Sequence, residues 1–85
     1  MTDIEFDVLD NLYFLQSYKY LTDTLHVGDD VLKDTLRKLL ERGWLRCYSS
    51  PTNEIEFERA AFEKDYWNYQ YLASKAGLLA HNSNF

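Results

Sequence analysis

The stretch GDDVLKDTLRKLLERGWLRCY, residues 28–48, contains a helix, its stop signal and the strand that follows. Val31, Leu32, Leu36, Leu39 and Leu40 recur at the spacing of one helical face. Asp29 or Asp30 is expected to cap the start, where carboxylates satisfy free N–H groups and suit the helix dipole. Lys38 and Arg42 fall in the last turns, where positive charge is favoured, and Gly43 sits where a helix-ending glycine belongs. Residues 44–48, WLRCY, then read as a strand.

Working back from this stretch, Gly28 marks a tight turn, because glycine tolerates the dihedrals a turn needs. Ser17 is a fair N-cap for a second helix, with Tyr18, Leu21, Thr22 and Leu25 as its apolar stripe and its end near 26–28. Thr2-Asp3-Ile4-Glu5 fits a capping box. Ile4, Val8, Leu12 and Leu15, with Leu9 beside them, extend the first helix over about residues 3–15.

Working forward, residues 49–53, SSPTN, are turn chemistry. Residues 54–58, EIEFE, alternate polar and apolar, so the two strands form a hairpin that packs Trp44, Ile55 and Phe57 over the core. Residues 60–81 carry two patterns. Phe62, Tyr66, Tyr69, Ala73, Ala76 and Ala80 suit one long helix; Trp67, Tyr69 and Tyr71 suit a strand followed by a short helix over 74–81. In the long-helix reading, Gly77 costs roughly 1 kcal/mol against alanine. Residues 81–85 are expected to fray.

The 85 residues suggest one α+β domain, and 46% hydrophobic content argues against disorder. With 16% aromatic residues in so small a domain, some rings should stay partly exposed, so a homodimer or another protein partner is expected. Cys47 is the only cysteine and no signal peptide or membrane span is readable, so the expected setting is cytoplasmic. Net charge is −5 and unevenly spread. Residues 1–32 carry seven acids and one base; residues 33–85 carry eight bases and seven acids. That balance counts against strong non-specific DNA binding.

The order helix, helix, short turn, helix, glycine, strand, turn, strand resembles the winged helix-turn-helix superfamily, in particular MarR- and PadR-like bacterial transcriptional regulators. Ser17, Leu21, Leu25, Val27, Val31, Leu32, Leu36, Leu39, Gly43 and Arg46 carry the resemblance, and residues 71–82, YLASKAGLLAHN, are similar to the segment that opens the last helix of those regulators. The resemblance implies a three-helix core, a β-hairpin wing and a C-terminal helix, over residues 1–85. It also implies a DNA-binding regulator of transcription whose third helix enters the major groove. The DNA-facing positions would be Asp29, Asp30, Lys33, Asp34 and Arg37, three of them acidic. Lys33 and Arg37 would be the readers, with Arg42, Arg46 and Arg59 on phosphates of double-stranded DNA.

The alternative is a winged helix that binds protein and not DNA. Its contact surfaces would be the acidic third helix and the aromatic run 65–72, DYWNYQYL, through Tyr66, Trp67, Tyr69 and Tyr71. No enzyme, cofactor or metal site is expected. His26 and His81 lack ligands at metal spacing, Ser49 and Ser50 lack a histidine partner, and no phosphate-binding glycine loop is present. Cys47 reads as a packing residue, with a thiol sensor as the alternative that needs an exposed, electropositive setting.

Overall fold

In a computed structural model, which describes residues 1–83, the Thr2 hydroxyl accepts from the Glu5 N–H while the Glu5 carboxylate accepts from the Thr2 N–H. This capping box opens α1 (Asp3–Asp10), followed by β1 (Gln16–Ser17), α2 (Tyr18–Leu25) and α3 (Asp29–Glu41). Next come β2 (Leu45–Ser50), β3 (Asn53–Ile55), α4 (Arg59–Asp65), a 3-10 turn (Tyr66–Asn68), β4 (Gln70–Ala73) and α5 (Lys75–Asn82). The class is α+β, and the four described strands form one antiparallel sheet in the order β1-β4-β2-β3.

The first helix is shorter than the expected 3–15. Asn11 ends it, and Leu12 leaves the helix so that its carbonyl can accept from the Ala73 N–H at 2.8 Å. Leu12 is fully buried, as its spacing suggested, but as part of a turn that ties α1 to the end of β4. Ser17 caps α2 as expected, accepting from the Tyr20 N–H at 3.0 Å. The left-handed residue after α2 is His26 (φ 54), whereas Gly28 is extended (φ −63) and is itself the N-cap of α3. Neither Asp29 nor Asp30 caps: both lie in the first turn, and Asp29 accepts from two tyrosines instead.

Leu32, Leu36, Leu39 and Leu40 form the buried face of α3, joined by Thr35, whose hydroxyl donates to the Val31 carbonyl. Val31, at the edge of that stripe, is 45% exposed. Gly43 (φ 77) closes α3 in a Schellman motif, its N–H on the Leu40 carbonyl and the Trp44 N–H on the Leu39 carbonyl. β2 therefore starts one residue after Trp44 and runs on to Ser50, so the turn shrinks to Pro51 and Thr52. β3 stops at Ile55, short of the expected 58, because Glu58 turns away to cap α4 by accepting from the Ala60 and Ala61 N–H groups.

Residues 60–81 are not one long helix; they follow the other pattern, a strand and then a short helix. α4 and the 3-10 turn precede β4, which enters the middle of the sheet with Tyr71 opposite both Cys47 and Gln16. Ser74 caps α5 and also donates to the Gly43 carbonyl. Gly77 lets α5 lie against the start of β2: a Cβ there would sit 2.1 Å from the Trp44 carbonyl oxygen. His81 is buried in α5, with its ring stacked on Phe6, so the fraying expected from 81 does not begin there; Asn84 and Phe85 lie outside the described residues. The core fills the space between the inner sheet face (Leu45, Cys47, Tyr71, Ala73) and the helices. No helix of the described residues is long and apolar enough to cross a membrane.

Candidate functional site

Asp29, Lys33, Arg37 and Glu41 repeat every four residues, so they form one stripe along α3. α4 and the turn after it run back along this stripe. Arg59 lies 4.0 Å from Glu41, Glu63 lies 2.5 Å from Lys33, and the Tyr66 hydroxyl donates to Asp29 at 2.7 Å. Lys33 also stands 5.0 Å from the centre of the Tyr66 ring. The outward stripe of the third helix is thus bridged by side chains of the segment between β3 and β4.

Within α3 the same theme continues. Arg37 binds Asp34 at 2.6 Å and Glu41 at 2.7 Å, and Lys38 binds Asp34 at 3.0 Å. The hydrogen bonds from Arg37 and Lys38 hold the Asp34 carboxyl below its ordinary value. Asp34 thus anchors two cations of its own helix. Asp29 accepts from the Tyr18 and Tyr66 hydroxyls, which lower its pKa in turn. Burial and the bond to Asp29 push the Tyr18 phenol upward.

Outside α3, Arg42 reaches Glu5 at 2.8 Å and lies over the Trp44 ring. Arg46 holds Glu54 across the β2–β3 pair, lowering the Glu54 carboxyl. All five cations expected to face DNA (Lys33, Arg37, Arg42, Arg46, Arg59) therefore have a carboxylate within ion-pair reach. Among the described residues the cations with no such partner are Lys64 and Lys75, neither of them expected at a DNA contact.

The aromatic run divides in the same way. Tyr71 is fully buried and donates to the Tyr66 carbonyl; Tyr66 and Tyr69 are half-buried. Trp67 alone of the four presents itself to solvent, at 57% exposure. Two larger exposures were not anticipated: Phe14 at 78% and Leu79 at 62%. Phe14 falls off the Ile4–Val8–Leu12 period, and that was the available signal. Near them, His81 joins α5 to the end of α1, with Tyr13 Oη 2.7 Å from Nδ1 and Asp10 Oδ1 3.3 Å from Nε2. Cys47 is buried, and burial pushes its thiol up to about 11, which is not the setting of a reactive thiolate.

Comparison of the chain with protein-family models, with curated proteins and with solved structures finds no match.

Proposed function

We propose that the chain is a winged-helix domain that works by binding another protein and not by reading DNA. One observation carries the choice: α4 and Tyr66 bridge the outward stripe of the third helix, and each expected DNA contact is held by a carboxylate of the chain itself. DNA affinity comes largely from cations that displace the counterions of phosphates. A lysine already neutralised by Glu63 displaces little, and docking it would press Glu63, Glu41 and Asp34 against the backbone. Exposed large apolar side chains remain, Trp67, Phe14 and Leu79 the most open of them, and they are the kind of anchor that protein interfaces use.

The DNA-binding regulator keeps one observation in its favour, the run of helix, helix, glycine-ended helix and strand from α1 to β2. It requires α4 to swing off α3. Anisotropy of a labelled random duplex at low salt separates the two. The protein-binding reading expects no binding, together with a partner captured from source cells that is lost with Trp67→Asp or Phe14→Asp. Duplex binding that falls steeply with salt and disappears in Arg37→Ala would overturn it.

A further inference from the structure

Two helices repeat one short pattern: Asp3-Ile4-x-x-Asp7 in α1 and Asp30-Val31-x-x-Asp34 in α3. Each places an aliphatic side chain with a carboxylate just before it and another one turn on. Ile4 and Val31 face a groove of about 440 Å³ between the two helices, with Asp30, Asp34, Thr35 and Lys38 along its α3 side. That is room for two or three side chains. Val31 is exposed although its neighbours on the stripe are buried, so the groove has an open apolar floor.

The charge around it is negative. Lys38 is taken up by Asp34, and Arg42 by Glu5. Asp30 on the groove lining, and Asp3 and Asp7 beside Ile4 in the sequence of α1, have no cation among the described residues. We infer that this groove docks a short basic, amphipathic peptide segment, with an aliphatic anchor on Ile4 and Val31 and lysines or arginines against Asp3, Asp7 and Asp30. The inference rests on the protein-binding reading above and names the chemistry of its partner. A second copy of the chain is a poorer occupant, because it brings its own net charge of −5 to an acidic groove.

The probe is a fluorescein-labelled peptide of lysine and leucine at helical spacing, titrated with the full chain at low salt. Control peptides replace its lysines by glutamate or its leucines by serine. The groove predicts micromolar binding of the lysine–leucine peptide only, weakened about tenfold or more by Val31→Arg and by Asp30→Arg. Both positions are exposed, and melting curves verify that each variant folds. Lys64→Gln, at an exposed position on α4 away from the groove, should leave the peptide affinity unchanged. Absence of binding, or equal binding to Val31→Arg, overturns the inference. So does self-association in sedimentation that Val31→Arg abolishes, since the occupant is then another copy. If the peptide fails while capture of a cellular partner still depends on Trp67 and Phe14, the groove falls and the protein-binding reading stands.

Discussion

Arg42→Ala separates a stability role from a DNA role for one guanidinium. Glu5 is only 3% exposed, and its carboxylate accepts from Arg42 at 2.8 Å and from the Thr2 N–H at 2.9 Å. Burial alone would raise the Glu5 carboxyl; Arg42 and Thr2 outweigh it and hold the carboxyl below its usual value. Truncating one side of a buried pair costs about 3–5 kcal/mol. The Arg42 side chain is itself 41% exposed and Thr2 still donates, which brings the expected cost down to about 2–3 kcal/mol. The lost contact with the Trp44 ring adds about 0.5–1 kcal/mol.

The assay is urea unfolding followed by tryptophan fluorescence, repeated across pH, with Glu5→Gln and the double variant alongside. In the wild type the Glu5 pKa is lowered on folding, so its stabilisation is present above the unfolded value of about 4.3 and is lost as pH falls through the folded one. In Arg42→Ala the lowering by Arg42 is gone while burial still raises the carboxyl, so the folded pKa moves up from its wild-type position. The variant's deficit against the wild type should shrink as pH falls through the carboxylate range, and the double variant should be more stable than Arg42→Ala at about pH 7. A deficit under about 0.5 kcal/mol, or one that does not change with pH, would refute the reasoning.

Gly77→Ala should destabilise by about 2 kcal/mol in a thermal melt even though alanine is the better helix former by about 1 kcal/mol, because the new Cβ meets a backbone carbonyl that cannot rotate away; a neutral or stabilised variant would show that α5 does not pack as described. Cys47 should resist a disulfide reagent at about pH 8 in the folded protein and react fully in denaturant, since its thiol is buried and pushed up to about 11; rapid labelling of the folded chain contradicts the burial. The pair Glu41→Gln and Glu63→Gln frees Lys33 and Arg59 of their carboxylates and leaves Arg37 with Asp34 alone. Because these pairs are exposed, stability should change by less than about 1 kcal/mol. Salt-sensitive duplex binding should appear in this variant and be absent from the wild type; its absence from both in the gel shift means that the carboxylates do not control DNA binding.

The glycine-ended third helix and the strand after it were legible because several local signals agree over a short span: leucine spacing, terminal bases and a left-handed glycine. The caps at Thr2 and Ser17 were legible for the same reason. The end of α1 was not. Leu12 lies at helical spacing and is buried, but burial does not report the backbone, and a long-range bond from Ala73 takes its carbonyl. At 26–28 the glycine attracted the turn, whereas the left-handed residue is His26, one of the polar residues that tolerate that region. Residues 60–81 carried competing periods, because β4 is central and buried while α4 and α5 on either side are short.

The cations of the third helix show why a site can be harder to read than a fold. A sequence gives the sign of each side chain, and a count of lysines and arginines assumes that each is available. Half of the correction was present in the chain: Asp34, Arg37, Lys38 and Glu41 stand three and four residues apart, the spacing at which helical neighbours pair. The other half depends on where a distant segment lands. Glu63, Arg59 and Tyr66 meet Lys33, Glu41 and Asp29 only because Glu58 turns the chain out of β3 and into α4, a reversal that strict alternation through residue 58 argued against. The paired face is therefore a property of the fold, not of the composition. A ligand that reads α3 must either displace α4 or approach from the α1 side, where Val31 and Asp30 are open. The second approach leaves every ion pair along the stripe intact.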